Sequence, residues 1–562
     1  MKLGEAGFII ALLLFVTLYA VASVYQNINV ARDYEISIST GKYDISIEIL
    51  EPRTERKGTV VLIHGIIATK RMLKPLATDL VRYGWRVLLV DQPGHGITGG
   101  YYRITYEELE TPGVALSRVL NQTAEFMENV EWYLSKIIKK DEKIAFGGHS
   151  IGALIAMIMS KNFTINTNFS VVATIGIAPP FWENIVNNTL PKNLLLCIGK
   201  HDEFIKADDL KMFIMPDLPD AVPVGETLGN FDDGTARKII VSEYSDHIFE
   251  PYDPVIIGEI IKWLELSLGH ESSSIIVLAT YIAAMKALSA LAGLVLVALL
   301  PIVFASNLGM ISGGKRFPTI RLIRDSLIAS CVVWSIVTII LLTMSLWFII
   351  QLAGILGFII PVLVGGYLTV ATIALVIASS FLGRRDVISL FKKVYLYFTS
   401  DPNRGIFLGI IEGSVFIFIL DITLGDVLAY MIPRTIGRLV IGFLLGTVIF
   451  IYFMFHEYLF RAQIQEIFGG RKRKAVMFSI GISLLSKVTV IMAISVILIY
   501  VSPFPVVAYI GVFGMVLVAL LTEGLAAASY YATREILPHS FASAIVWASI
   551  AAAVFPVVSL TL

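Results

Sequence analysis

At 562 residues, 56% hydrophobic and with a mean hydropathy of +0.77, the chain is too apolar for a soluble multidomain protein. Its formal charge of zero conceals an asymmetry: residues 25–270 hold 24 Lys+Arg against 32 Asp+Glu, and residues 271–562 hold 19 against 11. The polar part has no basic stripe with interleaved aromatics, which argues against nucleic acid as a partner, and two cysteines, Cys197 and Cys331, exclude a disulfide framework.

The first predicted element is Phe8–Val24, a 17-residue apolar run behind Lys2. It reads as a transmembrane signal anchor over residues 1–24, with Ala20-Val21-Ala22 as an alternative cleavage site. Either fate delivers the next segment across the membrane. Residues 25–270 have globular polarity and enough length for one domain with a full core. Within them Thr59 to Ile63 and Arg86 to Val90 are β-branched apolar runs ending in Gly-containing turns, His64-Gly65 and Asp91-Gln92-Pro93-Gly94-His95-Gly96. Both read as buried parallel strands. Helices are predicted over 72–83 and 123–138, further strands over 143–146, 169–178, 193–198 and 238–243, and a closing helix over 254–268. This alternation implies an α/β class with a mostly parallel sheet covered on both faces. Residues 213–236, rich in Pro, Asp and Gly, read as the longest irregular segment, either a partial flap or a plain loop.

The run Gly148-His149-Ser150-Ile151-Gly152 lies between the 143–146 strand and the apolar helical run Ala153 to Met159. Strand, Gly-x-Ser-x-Gly and helix together make a nucleophile elbow, whose tight turn lifts the serine above the sheet. A serine hydroxyl is a weak nucleophile at neutral pH, so it needs a base, an orienting acid and fixed donors for the oxyanion.

With the turns at His64-Gly65 and Asp91 to Gly96, the elbow resembles the α/β-hydrolase fold, in its esterase, lipase and serine-aminopeptidase-like branch, over about residues 33–268. The resemblance implies Ser150, Asp202 and His247 as a catalytic triad in that chain order, with the acid in Gly199-Lys200-His201-Asp202 and the base in Ser245-Asp246-His247. It also implies the backbone N–H groups of Ile66 and Ile151 as the oxyanion hole. Glu203 is the alternative acid, one position along, while His64, His95, His149 and His201 read as structural or pocket-wall residues. No cofactor and no metal is expected, because Cys197 and His201 lack further ligands nearby. Only Pro180 to Lys192 separates the strand after the elbow from the acid strand, too little for a helical cap. Pro179 to Trp182 read either as acyl-pocket lining or as ordinary packing.

From residue 271 to 562 the chain reads as a polytopic helical membrane domain. Apolar stretches near 275–305, 326–351, 354–382, 405–424, 439–460, 475–500, 503–522 and 541–560 give about eight helices, the first one long helix or a pair broken near Lys286. Basic residues gather in alternate connections: Lys315 to Arg324, Arg384 to Arg404, then Arg461 with Arg471 to Lys474. The positive-inside rule makes these cytoplasmic and puts residues 25–270 outside, as do sequons at Asn121, Asn162, Asn168 and Asn187. Phe455 to Ala462 is similar to the Glu-Glu-x-x-x-Arg motif of the CAAX protease and bacteriocin-processing family, with His456 in place of the first Glu and Ile482 where a histidine would stand. Glu457 and Arg461 are therefore the candidate site of this half, an intrahelical ion pair being the alternative reading.

These observations predict a multi-pass protein of the cell membrane with an extracytoplasmic serine hydrolase domain acting on hydrophobic acyl esters beside the lipid bilayer. Two other readings remain: a transporter or lipid-binding scaffold with an accessory hydrolase module, and an intramembrane protease.

Overall fold

The structure, a computed structural model, describes residues 3–66, 68–105, 112–215, 220, 222–270, 274–307, 336–338, 340–341, 369–374, 402–470, 472–501, 505–554 and 558–561. The polar part is built on β1 (Val30–Ser39), β2 (Asp44–Pro52), β3 (Gly58–Ile63), β4 (Trp85–Val90), β5 (Tyr102–Thr105), β6 (Lys143–His149), β7 (Ser170–Ile177), β8 (Leu194–Gly199), β9 (Thr227–Leu228) and β10 (Arg237–Ser242). Nine of these form one sheet in the order β1-β2-β4-β3-β6-β7-β8-β10-β9. The six strands from β4 to β10 in that order run parallel, while β1, β2 and β9 pair antiparallel at the two ends.

The central strands are continuous apolar runs because helices cover both of their faces. Val61 and Ile63 point into one core with Phe126, Val130, Leu154 and Met157, while Val60 and Leu62 point into the other with Leu76, Leu80, Ile256, Ile260 and Trp263. Alternate residues of one strand thus serve opposite layers. The predicted helix over 72–83 is a short 3-10 turn, Lys70–Leu73, followed by the α-helix Lys74–Arg82, and the helix predicted from 123 begins earlier, as Pro112–Ile137. Among its described residues, the segment 213–236 holds regular structure. The helix Ala207–Ile214 enters it, and Thr227–Leu228 pairs with β10.

In the apolar part, five described helices are long and apolar enough to cross a membrane: Glu5–Asn27, Ala279–Val303, Pro402–Thr423, Ile436–Gln465 and Leu537–Val554. Arg473–Val501 and Pro505–Thr533 are two further long helices. The first predicted span is one continuous helix, Ala279–Asn307, with no break at Lys286. The spans predicted over 326–351 and 354–382 lie outside the described residues, apart from helical residues at 336–338, 340–341 and 369–374. The last prediction needs correction. The helix is Leu537–Val554 rather than 541–560, and Val558–Thr561 forms β11, parallel to β5. Pro556 has no N–H to continue a helix, and the β-branched residues beyond it suit a strand.

Contacts between the two parts gather at the carboxyl ends of the parallel strands. After β3, Arg71 Nη1 donates to Asp426 Oδ1 at 2.8 Å, and Ala68 and Met72 pack with Tyr252 and Ala283. After β4, the Gly94 carbonyl accepts from Arg438 Nη2 at 2.7 Å. After β10, the Tyr252 hydroxyl donates to the Val427 carbonyl at 2.5 Å, and Thr280 Oγ1 donates to the Tyr252 carbonyl at 2.5 Å. Asp79 caps the helix Ala279–Asn307, accepting from the Leu278 and Ala279 N–H groups at 2.9 and 2.8 Å. The sheet therefore turns its carboxyl edge, where loops are free to carry function, toward the apolar helices.

Candidate active site

Between β6 and the helix Ile151–Asn166, Ser150 adopts φ 55° and ψ −129°, a conformation an L-residue rarely holds. The turn closes only because its neighbours lack side chains. A Cβ at Gly152 would fall on the carbonyl oxygens of Ile63 and His64, and one at Gly148 on the carbonyl of Gly152. The Ser150 N–H is fixed by the Ile177 carbonyl at 2.8 Å. The hydroxyl is left partly accessible at the carboxyl edge of the sheet.

The loop after β10 brings His247 onto this hydroxyl. Its Nε2 lies 3.1 Å from Ser150 Oγ, and its Nδ1 lies 2.7 Å from Asp202 Oδ2, in the loop after β8. The other oxygen of Asp202 accepts from the N–H groups of Phe204 and Ile205 at 2.7 and 2.9 Å. Burial alone would raise the Asp202 carboxyl. The His247 bond and these two N–H groups outweigh it and hold the carboxyl below its ordinary value. Asp202 is therefore an ionised orienter for the His247 Nδ1–H. Glu203, the alternative acid, is exposed to solvent. The Phe204 ring stands edge-on to the His247 imidazole, centroids 5.2 Å apart, and limits its rotation.

Ile66 lies in the turn after β3, and Ile151 is the first residue of the elbow helix, where N–H groups have no intrahelical acceptor. The turn lies against the elbow: a Cβ built on Gly65 would sit 3.1 Å from that of Ser150. His64 holds this turn, accepting from Gln92 N–H at 3.0 Å through Nε2 while Nδ1 bonds the Gly65 carbonyl at 2.7 Å, and His95 Nδ1 bonds the Pro93 carbonyl at 2.9 Å. Both are structural, as expected. Phe181 and Trp182 pack against the main core, and Phe181 stands edge-to-face on Phe213 at 5.2 Å.

Two further groups lie below the triad, of which Glu250 escaped sequence reasoning. His149, read as structural or pocket wall, donates Nε2–H to the carbonyl of His247 at 2.8 Å, their rings 4.8 Å apart. Burial pushes its imidazole down to about 4, so it stays neutral. Glu250 is fully buried and accepts from the Gly199 N–H at 2.7 Å. Burial, then the charge of Asp202, raise its carboxyl well above the ordinary value. The sequence carried no signal for Glu250 beyond its place three residues after His247.

In the apolar part, Glu457 and Arg461 are brought together, Nε to Oε2 at 3.3 Å. Arg461 also reaches Glu523 and donates to Ser479 Oγ at 2.8 Å, while Lys487 reaches Glu523 and His456 Nδ1 lies 3.1 Å from Glu457 Oε1. The pair is the centre of a buried network that ties three helices. Two trios of potential metal ligands occur among the described residues, His149 with His247 and Glu250, and His456 with Glu457 and Glu523. In the first, both His247 nitrogens serve Ser150 and Asp202. In the second, Arg461 and Lys487 already neutralise the carboxylates, so neither donor set suits a cation.

Residues 54–210 match the family model described as serine aminopeptidase, S33. Among solved structures, the chain is similar to an esterase of Pyrococcus furiosus, at 16% identity over 42% of this chain and 91% of that one, with a TM-score of 0.31. A predicted CIB-like hydrolase from Thermoplasma acidophilum matches at 16% identity over 42% and 99% of the chains, TM-score 0.31. A lidless serine hydrolase from Xanthomonas campestris matches at 11% identity over 43% and 98%, TM-score 0.30. A search of curated proteins returns no match. The elbow, the sheet order and the family match agree: the chain carries a serine hydrolase domain of the α/β-hydrolase fold, joined to apolar helices long enough to span a membrane.

Proposed function

We propose that the protein is a membrane-bound extracytoplasmic hydrolase that cleaves carboxylic esters of hydrophobic acyl groups through an acyl-enzyme. The observation that carries this reading is the unbroken chain from Ser150 Oγ through His247 to Asp202, at 3.1 and 2.7 Å. Attack by Ser150 on the ester carbonyl passes the hydroxyl proton to His247 Nε2. The same proton then goes to the departing alcohol, and a water molecule releases the acid by the reverse sequence. Asp202 stabilises the imidazolium formed in each half-reaction. The N–H groups of Ile66 and Ile151 are assigned to the oxyanion, each worth roughly 3 kcal/mol of barrier.

A lipid or other hydrophobic acyl substrate is supported by the orientation of the carboxyl edge toward the apolar helices. The assignment to the outer face of the cell membrane is supported by charge. The loop that touches the hydrolase domain, around Asp426 and Val427, opens the helix that begins at Ile436. The basic run Lys472, Arg473 and Lys474 follows the far end of that 30-residue span. A fluorophosphonate probe applied to intact cells tests both parts of the proposal. Labelling abolished in Ser150→Ala supports the reading, and a chain that stays unlabelled, or labels equally in the variant, refutes it.

A further inference from the structure

We infer that Phe249, on the loop that carries His247, inserts into the head-group layer of the bilayer, and that the site takes its acyl ester directly from that layer. The inference rests on the serine-hydrolase reading of Ser150 and adds the physical state of the substrate. Phe249 is 56% exposed, and among the bared apolar side chains of the domain it is the one that packs beside Tyr252, at the seam with the apolar helices. Its ring lies 6.3 Å from that of Tyr252, centroid to centroid.

Tyr252 fixes the height of this loop against the helices. Its carbonyl accepts from Thr280, its hydroxyl donates to Val427, and its ring packs with Ala283. Thr280 and Ala283 belong to the first turn and a half of the span that starts at Ala279. Phe249 therefore stands at the level where this helix becomes apolar enough to enter lipid. Apolar side chains are also bared where two spans begin: Tyr281, in the first turn from Ala279, is 66% exposed, and Ile436, which opens another span, is 82% exposed. Aromatic residues favour this boundary because the ring sits among acyl carbons and head groups at once.

Charge argues for the same occupant by elimination. With 24 basic against 32 acidic residues between 25 and 270, the domain is not drawn to an anionic surface, so contact depends on apolar insertion. His247 lies two residues before Phe249 on the same loop, so an ester lifted from the boundary has a short path to Ser150.

The test uses the full chain in zwitterionic phosphatidylcholine bilayers. In Phe249→Trp the added indole emission, taken as the difference from wild type, is expected to be quenched by lipids brominated on the upper acyl carbons. Emission unaffected by those lipids overturns the inference. In Phe249→Ser, cleavage of a bilayer-resident diacyl ester is expected to fall roughly tenfold, while cleavage of a soluble short-chain ester stays within about twofold. Equal losses on both substrates, or no loss on either, overturn it. Ester cleavage that persists in Ser150→Ala would instead remove the hydrolase reading and leave the quenching result standing.

Discussion

His149 donates its Nε2–H to the backbone carbonyl of His247 at 2.8 Å, so the residue before the nucleophile holds the loop that carries the base. The bond also fixes which nitrogen of His149 bears the proton. Burial holds this imidazole down to about 4 in the folded chain, against an ordinary value of 6.5. Between those two pH values the unfolded chain binds a proton that the folded chain refuses, so stability rises with pH across the window and is lost as pH falls through it. The difference amounts to ~3 kcal/mol. His149→Gln keeps an N–H donor and removes the titration. Denaturant unfolding at pH 4.5 and 7 is expected to show a smaller pH difference in this variant than in wild type.

Asp202 and Glu203 are neighbours in sequence with opposite surroundings. Asp202 is buried and receives three hydrogen bonds, while Glu203 faces solvent. Asp202→Asn preserves the shape of the site but offers His247 Nδ1 an amide in place of an anion. Its kcat on a soluble ester is expected to fall roughly 10³- to 10⁴-fold with little change in KM. Glu203→Ala should stay within about twofold of wild type. A reversed ranking of the two variants would move the orienting role to Glu203.

The parts of this fold legible in the sequence are those whose cause is local. The runs Val60 to Ile63, Val87 to Val90 and Leu194 to Ile198 are apolar throughout because both faces of their strands are buried, and the elbow shows itself because Gly148 and Gly152 have no substitute at their contacts. β1 offered a weaker signal. It is an edge strand with only Val30 and Ile38 buried, so no continuous apolar run marks it, and only the short alternation of Tyr34, Ile36 and Ile38 with Glu35, Ser37 and Ser39 betrays it. β5 and β11 were hidden because they pair across more than 450 residues, a contact no local pattern announces. In the site, Ser150, Asp202 and His247 were reached through the order of motifs along the chain. Glu250 was not, because a buried acid three residues from a histidine acquires meaning only once Gly199 and Asp202 are folded against it.

The φ of 55° at Ser150 predicts a gain of stability when the side chain is removed. Residues held in such conformations cost of order 1–3 kcal/mol, a cost glycine largely escapes. Ser150→Gly is therefore expected to unfold at a higher temperature than Ser150→Ala, although both lack the nucleophile. Thermal melts of the two inactive variants in one detergent make the comparison free of any effect of catalysis. Equal melting temperatures would mean that the elbow stores no strain.

Asp426 meets three cations, of which Arg71 and Lys74 belong to the hydrolase domain and Lys286 to the apolar helices. Its Oδ1 lies 2.8 Å from Arg71 Nη1 and 3.7 Å from Lys74 Nζ, and its Oδ2 lies 3.0 Å from Lys286 Nζ. Lys74 has Glu48 at 2.6 Å and Asp33 at 2.8 Å as further partners, and Arg71 has Glu48 at 3.3 Å. Lys286 has no second carboxylate among the described residues. It retains only Ser23 Oγ at 3.2 Å and the Tyr19 ring at 4.4 Å. Asp426→Asn thus leaves Lys286 with the least compensation, and the partial exposure of Asp426 limits the cost to about 1–3 kcal/mol. Because the same carboxylate reaches Arg71 just beyond the turn after β3, the loosening is expected to extend to the site. Hydrogen exchange should speed up at residues 68–74 and 424–430, with fluorophosphonate labelling of Ser150 slowed severalfold. Adding Lys286→Met, which removes the orphaned charge, should restore the melting temperature but not the labelling rate, since Arg71 then reaches the apolar helices, among the described residues, only through Tyr430, at 3.3 Å.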